Sequence, residues 1–139
     1  MKKLLLLVLL LGAAVGVVIY TAQAQETQPS TTSYDNGELH IRIDSDRSTA
    51  KIMQRTRFTI TVTDSSGIPV RAAKMQVVLS MPNMFCGVFP ADITEEEPGS
   101  YSAVGMPVMK GSWQAKVTID AAPDSRYSGV TVAHPFQVN

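Results

Sequence analysis

Apolar and polar residues alternate along this chain in run after run, and that period of two limits what it can fold into more than any other feature. Leu39, Ile41 and Ile43 alternate with His40, Arg42 and Asp44. Phe58, Ile60 and Val62 alternate with Thr59, Thr61 and Thr63. Met75, Val77 and Leu79 alternate with Lys74, Gln76 and Ser80, broken only by Val78. Trp113, Ala115, Val117 and Ile119 alternate with Gln114, Lys116, Thr118 and Asp120, and Val130, Val132, His134, Phe136 and Val138 share one parity. Successive side chains of a strand point to opposite faces, so each run predicts a strand with one buried and one wet face. Two shorter strands, 91–96 and 100–105, fit around the turn at Pro98-Gly99, and Asp64-Ser65-Ser66-Gly67 marks another turn. About seven short antiparallel strands in roughly 100 residues predict an all-β, immunoglobulin-like β-sandwich over residues 38–139. Trp113 is its largest candidate anchor; burying one large apolar side chain is worth about 1.5–3 kcal/mol.

The N-terminus is different. Lys2 and Lys3 precede an apolar run from Leu4 to Ile19, and Thr21-Ala22-Gln23-Ala24 offers small residues in an A-x-A pattern. This order is that of a secretory signal, residues 1–24, cleaved before Gln25 or retained as a membrane anchor. No Cys follows the run, so a lipid-modified N-terminus is not expected. Residues 25–37 are polar and read as a flexible linker. The expectation is an exported bacterial protein, in the periplasm or at the cell surface, touching the membrane only through its N-terminal segment. Beyond residue 24 the chain carries 10 basic and 12 acidic residues, net −2. That is no footprint for nucleic acid and no lure for anionic lipid. The single cysteine, Cys86, allows no internal disulfide, so the core must hold by packing.

Antiparallel order sends the loops after the first, third and fifth strands to one pole. These are residues 45–55, 81–90 and 106–111. Met53 lies in the first; Met81, Met84 and Cys86 in the second; Met106 and Met109 in the third. Of the methionines beyond Met1, only Met75 falls elsewhere. The linker, attached before the first strand, is expected at the opposite pole, turning the sulfur pole away from a membrane. Met81-Pro82-Asn83-Met84 and Met106-Pro107-Val108-Met109 repeat Met-Pro-x-Met, and proline stiffens each. Thioether and thiolate are soft ligands suited to Cu(I). Methionine also fills cores, and an apolar patch also serves a partner. Met81 keeps core parity, Met84 and Met106 break it, Met53 reads as packing, and Met109 fits either use. Cys86 reads equally as a buried small hydrophobe, a ligand or a partner for another thiol. His40 has solvent parity. His134 has core parity and is the outside candidate for a nitrogen ligand. Glu95-Glu96-Glu97 reads as a solvated turn. There is no H-E-x-x-H, no phosphate loop and no G-x-S-x-G elbow, so no enzyme is expected.

Residues 56–119 resemble the YtkA-like domain, related to FixH-like proteins. The resemblance rests on Phe58-Thr59-Ile60-Thr61-Val62-Thr63-Asp64, Ser66-Gly67-Ile68-Pro69-Val70, Val77-Val78-Leu79-Ser80-Met81-Pro82-Asn83-Met84, Pro98-Gly99-Ser100-Tyr101 and Met109-Lys110-Gly111-Ser112-Trp113. It implies an immunoglobulin-like fold outside the cytoplasmic membrane, and a link to copper handling or respiratory oxidase assembly. Members of that family often place His shortly after the second Met of the motif, where this chain has Cys86. The reading that results is a non-catalytic copper-binding accessory protein, a metallochaperone for Cu(I). Met81, Met84, Met106 and Met109 are its thioethers, Cys86 its thiolate and His134 its extra ligand, with a membrane oxidase or its assembly factors as partner. The alternative is a metal-free structural or protein-interaction module tethered at the membrane.

Overall fold

A computed structural model describes residues 30–85, 87–121 and 129–139. The signal or anchor assigned to residues 1–24 lies outside the described residues, as does Cys86. Ten strands follow one another: β1 (Thr31–Asp35), β2 (Leu39–Ser45), β3 (Thr49–Ala50), β4 (Thr56–Asp64), β5 (Lys74–Ser80), β6 (Phe89–Pro90), β7 (Asp92–Glu97), β8 (Ser100–Gly105), β9 (Gly111–Ala121) and β10 (Val130–Val138). They form two five-stranded sheets, β1-β2-β4-β8-β7 and β3-β10-β9-β5-β6. Every pairing is antiparallel except β3 with β10. The order β2-β4-β8-β7 facing β10-β9-β5 is the ABED and GFC arrangement of an immunoglobulin sandwich. The five alternating runs and the two shorter strands are its seven principal strands; β1, β3 and β6 are additions.

Parity places the core as the sequence requires. Leu39, Ile41, Ile43, Phe58, Ile60 and Val62 are buried from one sheet, and Val77, Leu79, Trp113, Ala115, Val117 and Ile119 from the other. Phe58 meets Phe136 edge-on at 5.1 Å between centroids, and Trp113 packs against Phe89 at 5.7 Å. The sheets approach closely at Gly105, where an added Cβ would stand 2.5 Å from the Leu79 Cδ1. The two-residue strands β3 and β6 bound the second sheet, and the acidic β7 bounds the first. Short and charged edges resist pairing with other chains.

Two expectations fail at the N-terminus. The polar segment 25–37 is not all linker, because Thr31–Asp35 within it pairs with β2 in the register Thr31↔Asp44 to Asp35↔His40. The sandwich therefore begins ahead of residue 38. The strand also reverses the chain's entry. Ser30 accepts a hydrogen bond from the Ser45 amide at 2.8 Å, beside the end of β2 and the start of the 46–55 loop. The preceding chain thus leaves from the pole that carries the methionine loops, not from the opposite one.

At that opposite pole, Tyr101 is buried on β8 and reaches across to the 65–73 loop. Its hydroxyl donates to the Val70 carbonyl at 2.6 Å and accepts from the Ala73 amide at 3.1 Å. Burial pushes its pKa up. Glu95 caps the same region, accepting from the Ala72 amide at 3.0 Å and the Gly99 amide at 3.1 Å, which holds its pKa down. Glu96 pairs with Arg57 at 3.0 Å. The acidic run is thus a staple for two loops rather than only a solvated turn. Removing the Tyr101 hydroxyl orphans a partly buried carbonyl and amide. Tyr101→Phe is expected to lose about 1–3 kcal/mol in urea unfolding, with an unchanged m-value; equal stability would show that the staple contributes nothing.

Candidate functional site

Three loops meet at one end of the sandwich because their flanking strands are paired. Thr56 opposite Gly105, Ser80 opposite Gln114 and Gly111 opposite Val138 bring together residues 46–55, 81–85 with 87–88, and 106–110. Backbone hydrogen bonds tie two of the loops and the chain's last residue. The Met53 amide donates to the Pro107 carbonyl at 2.8 Å, and the Ile52 amide to the Asn139 carbonyl at 3.1 Å. The indole of buried Trp113 donates to the Met109 carbonyl at 2.9 Å, so the core holds the 106–110 loop from beneath.

Each methionine has its own setting. Met81 is half-buried and packs against the core, in keeping with its parity. Its methyl fills the space over Gly111, where a Cβ would lie 2.8 Å away. Gly111 has φ +130, so that position needs glycine for conformation as well as for space. Met84 is 52% exposed, Met106 41% and Met109 39%, while Pro107 between the last two is buried. The second Met-Pro-x-Met loop therefore turns its proline inward and its thioethers outward. Met53, expected to be packing, is 60% exposed and holds a left-handed φ of 57. A non-glycine residue there carries strain of about 1–3 kcal/mol. Met75, on β5, is partly buried against the core away from these loops.

The same pole exposes apolar residues that the sulfur pattern did not single out. Phe85 is fully exposed, Val88 is 66% exposed and Ile52 also faces solvent. Of nine exposed large hydrophobics among the described residues, seven lie in these three loops. Only Tyr34 and Ile68 lie elsewhere, so the distribution is polar rather than scattered. The available signal was the break of parity after Met81, which puts Met84, Phe85 and Val88 outside any strand.

His134 stands apart. It lies at the middle of β10 opposite Ala115, fully buried, with its ring 5.8 Å from that of Phe58. Its Nδ1 lies 2.8 Å from the Thr32 Oγ1 on β1, so the pair bridges the two sheets. Its Nε2 has no hydrogen-bond partner. The arrangement is that of a core histidine, about four residues of strand, roughly 13 Å, from the methionine loops, and it does not join them. His40 is exposed, with its Nδ1 2.8 Å from Asp35. Among the described residues no three His, Cys, Asp or Glu side chains come together in a way that could hold a metal ion. What the pole offers is thioethers on neighbouring loops, of which 46–55 and 106–110 are tied together, a soft donor set.

No family model matches the chain, and no curated protein matches it. Solved structures do. A Lin-41 filamin domain superimposes with a TM-score of 0.53 at 12% identity, covering 81% of this chain and 94% of that one. The ZirS C-terminal domain does so with a TM-score of 0.53 at 18% identity, covering 84% and 74%. A DUF4785 family protein from Legionella pneumophila gives 0.53 at 9% identity, with 72% of this chain matching 28% of that one. At such identities the likeness establishes the fold, an immunoglobulin-like β-sandwich, and nothing further. The resemblance to YtkA-like domains rests on the motifs themselves.

Burial lowers the His134 pKa, opposed by the nearby Asp44 carboxylate. The folded protein therefore disfavours a proton that the unfolded chain accepts near pH 6.5. Stability from this group is complete above that pH and declines as pH falls toward the lowered folded value. His134→Leu is expected to flatten the decline between pH 7.5 and 5.5 by up to about 1.4 kcal/mol per pH unit. Parallel pH profiles of the two proteins in urea melts would contradict it.

Proposed function

We propose that this protein is a non-catalytic, extracytoplasmic accessory module that carries Cu(I) at its methionine pole. The observation that carries the reading is the shared pole: the 106–110 loop, fixed by the Met53 amide on the Pro107 carbonyl and the Trp113 indole on the Met109 carbonyl, stands at the same end of the sandwich as the loop that presents Met81 and Met84. Prepaid loop order lowers the cost of gathering ligands. Met84, Met106 and Met109 are exposed enough to meet an ion from solvent, and Met81 is half-buried against the core at the base of its loop. Cys86 stands in the sequence two residues beyond Met84 and would supply a thiolate, which tightens a Cu(I) site. His134 drops out of the ligand set, since its buried ring is engaged with Thr32.

Thioether sites without a hard anionic ligand suit carriage rather than storage, because a thiolate- or imidazole-rich acceptor can take the ion. Copper is thus cargo. Its acceptor, on the motif resemblance, is a membrane oxidase or a factor that assembles one. Soft selectivity follows from the donors, since no carboxylate cage among the described residues competes for Mg or Ca.

Competition titration with a chromogenic Cu(I) chelator tests this. The native protein is expected to withdraw one Cu(I), and Met84→Leu combined with Met106→Leu to bind at least about tenfold more weakly, or about 1.4 kcal/mol. No withdrawal by the native protein, or equal withdrawal by the variant, would refute the reading.

A further inference from the structure

The methionine pole carries a second pattern that copper does not explain. Phe85 is wholly exposed and Val88 about two-thirds exposed, yet neither side chain has a donor for a metal. Charge accompanies them. The three loops hold Arg47, Lys51, Arg55 and Lys110 against Asp46, which lies near Arg47, and Asp92 at the start of β7, which pairs with Arg55. Among the described residues neither Lys51 nor Lys110 has a carboxylate within salt-bridge distance. The far pole is the reverse, with Asp64, Glu95, Glu96, Glu97 and Asp120 outnumbering Arg71 and Lys74 around its turns. A net charge of −2 beyond residue 24 therefore conceals a molecule with a basic, apolar tip and an acidic base.

We propose that this tip docks on an anionic lipid surface. Phe85 and Val88 enter the interfacial layer, and Lys51 and Lys110 lie over the headgroup phosphates. Three arguments select lipid as the occupant. Apolar residues on separate loop ends, flanked by cations, match a fluid apolar layer beneath a negative surface. Lysine beside the apolar residues is unlike a protein interface, whose core is depleted of it. The chain's exit is the third argument. Ser30 leaves at this same pole, ten residues after the apolar run Leu4–Ile19 ends. Ten residues span at most about 36 Å. A membrane holding that run meets this tip first and not the acidic base. The expectation that the membrane is touched only through the N-terminal segment, with the sulfur pole turned away, is replaced by a tip that faces it.

The inference does not depend on copper, and it gives the copper reading an orientation: cargo would be held at the membrane side, within reach of a membrane acceptor.

All strand pairings and all buried core residues described lie between Thr31 and Val138, so the chain from Gln25 onward retains the whole sandwich. That chain is mixed with vesicles of phosphatidylglycerol and phosphatidylethanolamine, or of phosphatidylcholine alone, with a Cu(I) chelator present throughout. Co-sedimentation with the anionic vesicles is expected, at least about tenfold weaker with the neutral ones and weakened by salt. Phe85→Ser with Val88→Ser, and separately Lys51→Glu with Lys110→Glu, are expected to lose at least about tenfold in vesicle binding while melting as the native protein does and binding Cu(I) unchanged. Met84→Leu with Met106→Leu is expected to keep vesicle binding. Failure to sediment with anionic vesicles overturns the proposal. So does undiminished binding by both charge and apolar variants. So does a Phe85-dependent dimer or protein complex formed by a chain that ignores lipid.

Discussion

Antiparallel pairing of β4 with β8 and of β5 with β9 is the constraint from which the rest of the molecule follows. Once those two ladders form, the 46–55, 81–88 and 106–110 loops have one end of the sandwich to occupy. Trp113 then closes that end from inside. Its ring packs between Phe89 and Phe136 in the core, and its one polar atom is satisfied by the Met109 carbonyl. The residue that anchors the core thereby fixes the loop bearing two of the thioethers. Stability and the candidate site share one side chain.

The pole combines features that a stable small domain has no use for. Exposed Met53 sits at a left-handed backbone position, and Phe85 stands wholly in water. Each is a cost to the isolated fold, and costs of this kind gather where a surface has work to do. Elsewhere among the described residues such features are single: Ala72 is left-handed and Ile68 exposed in the loop before β5, without a cluster of exposed apolar side chains. The outer face of the first sheet carries the exposed pairs Arg55–Asp92 and Arg57–Glu96, which hold their charges in mutual contact and contribute little.

Much of this was legible in the sequence, for a physical reason. Strand parity is a local property, so Leu39 to Val62 and Trp113 to Ile119 declared their buried faces without help, and alternation of strand direction then placed Met84, Met106 and Met109 at one end. What failed was non-local or conformational. The strand Thr31–Asp35 looked like linker because it is polar, although Thr31, Thr32 and Tyr34 are strand-forming residue types. Missing it inverted the chain's exit. Thr32 meets His134 across more than a hundred positions, which no spacing rule reports. His134 was correctly given core parity, but its hydrogen-bond partner decides that it is structural. Met53 was assigned to packing because a left-handed φ leaves no mark on composition.

The proposed function requires that thioethers on the 81–88 and 106–110 loops act together on one soft ion. It is tested most directly by methyl resonances of labelled methionine, followed as Cu(I) is added under reducing conditions. Met75, on β5 away from the pole, is the internal reference. The methyl signals of Met84, Met106, Met109 and Met81 are expected to shift together and saturate at one equivalent, while Met75 stays where it was. Signals that do not move, or that move one at a time with no common saturation point, would contradict it.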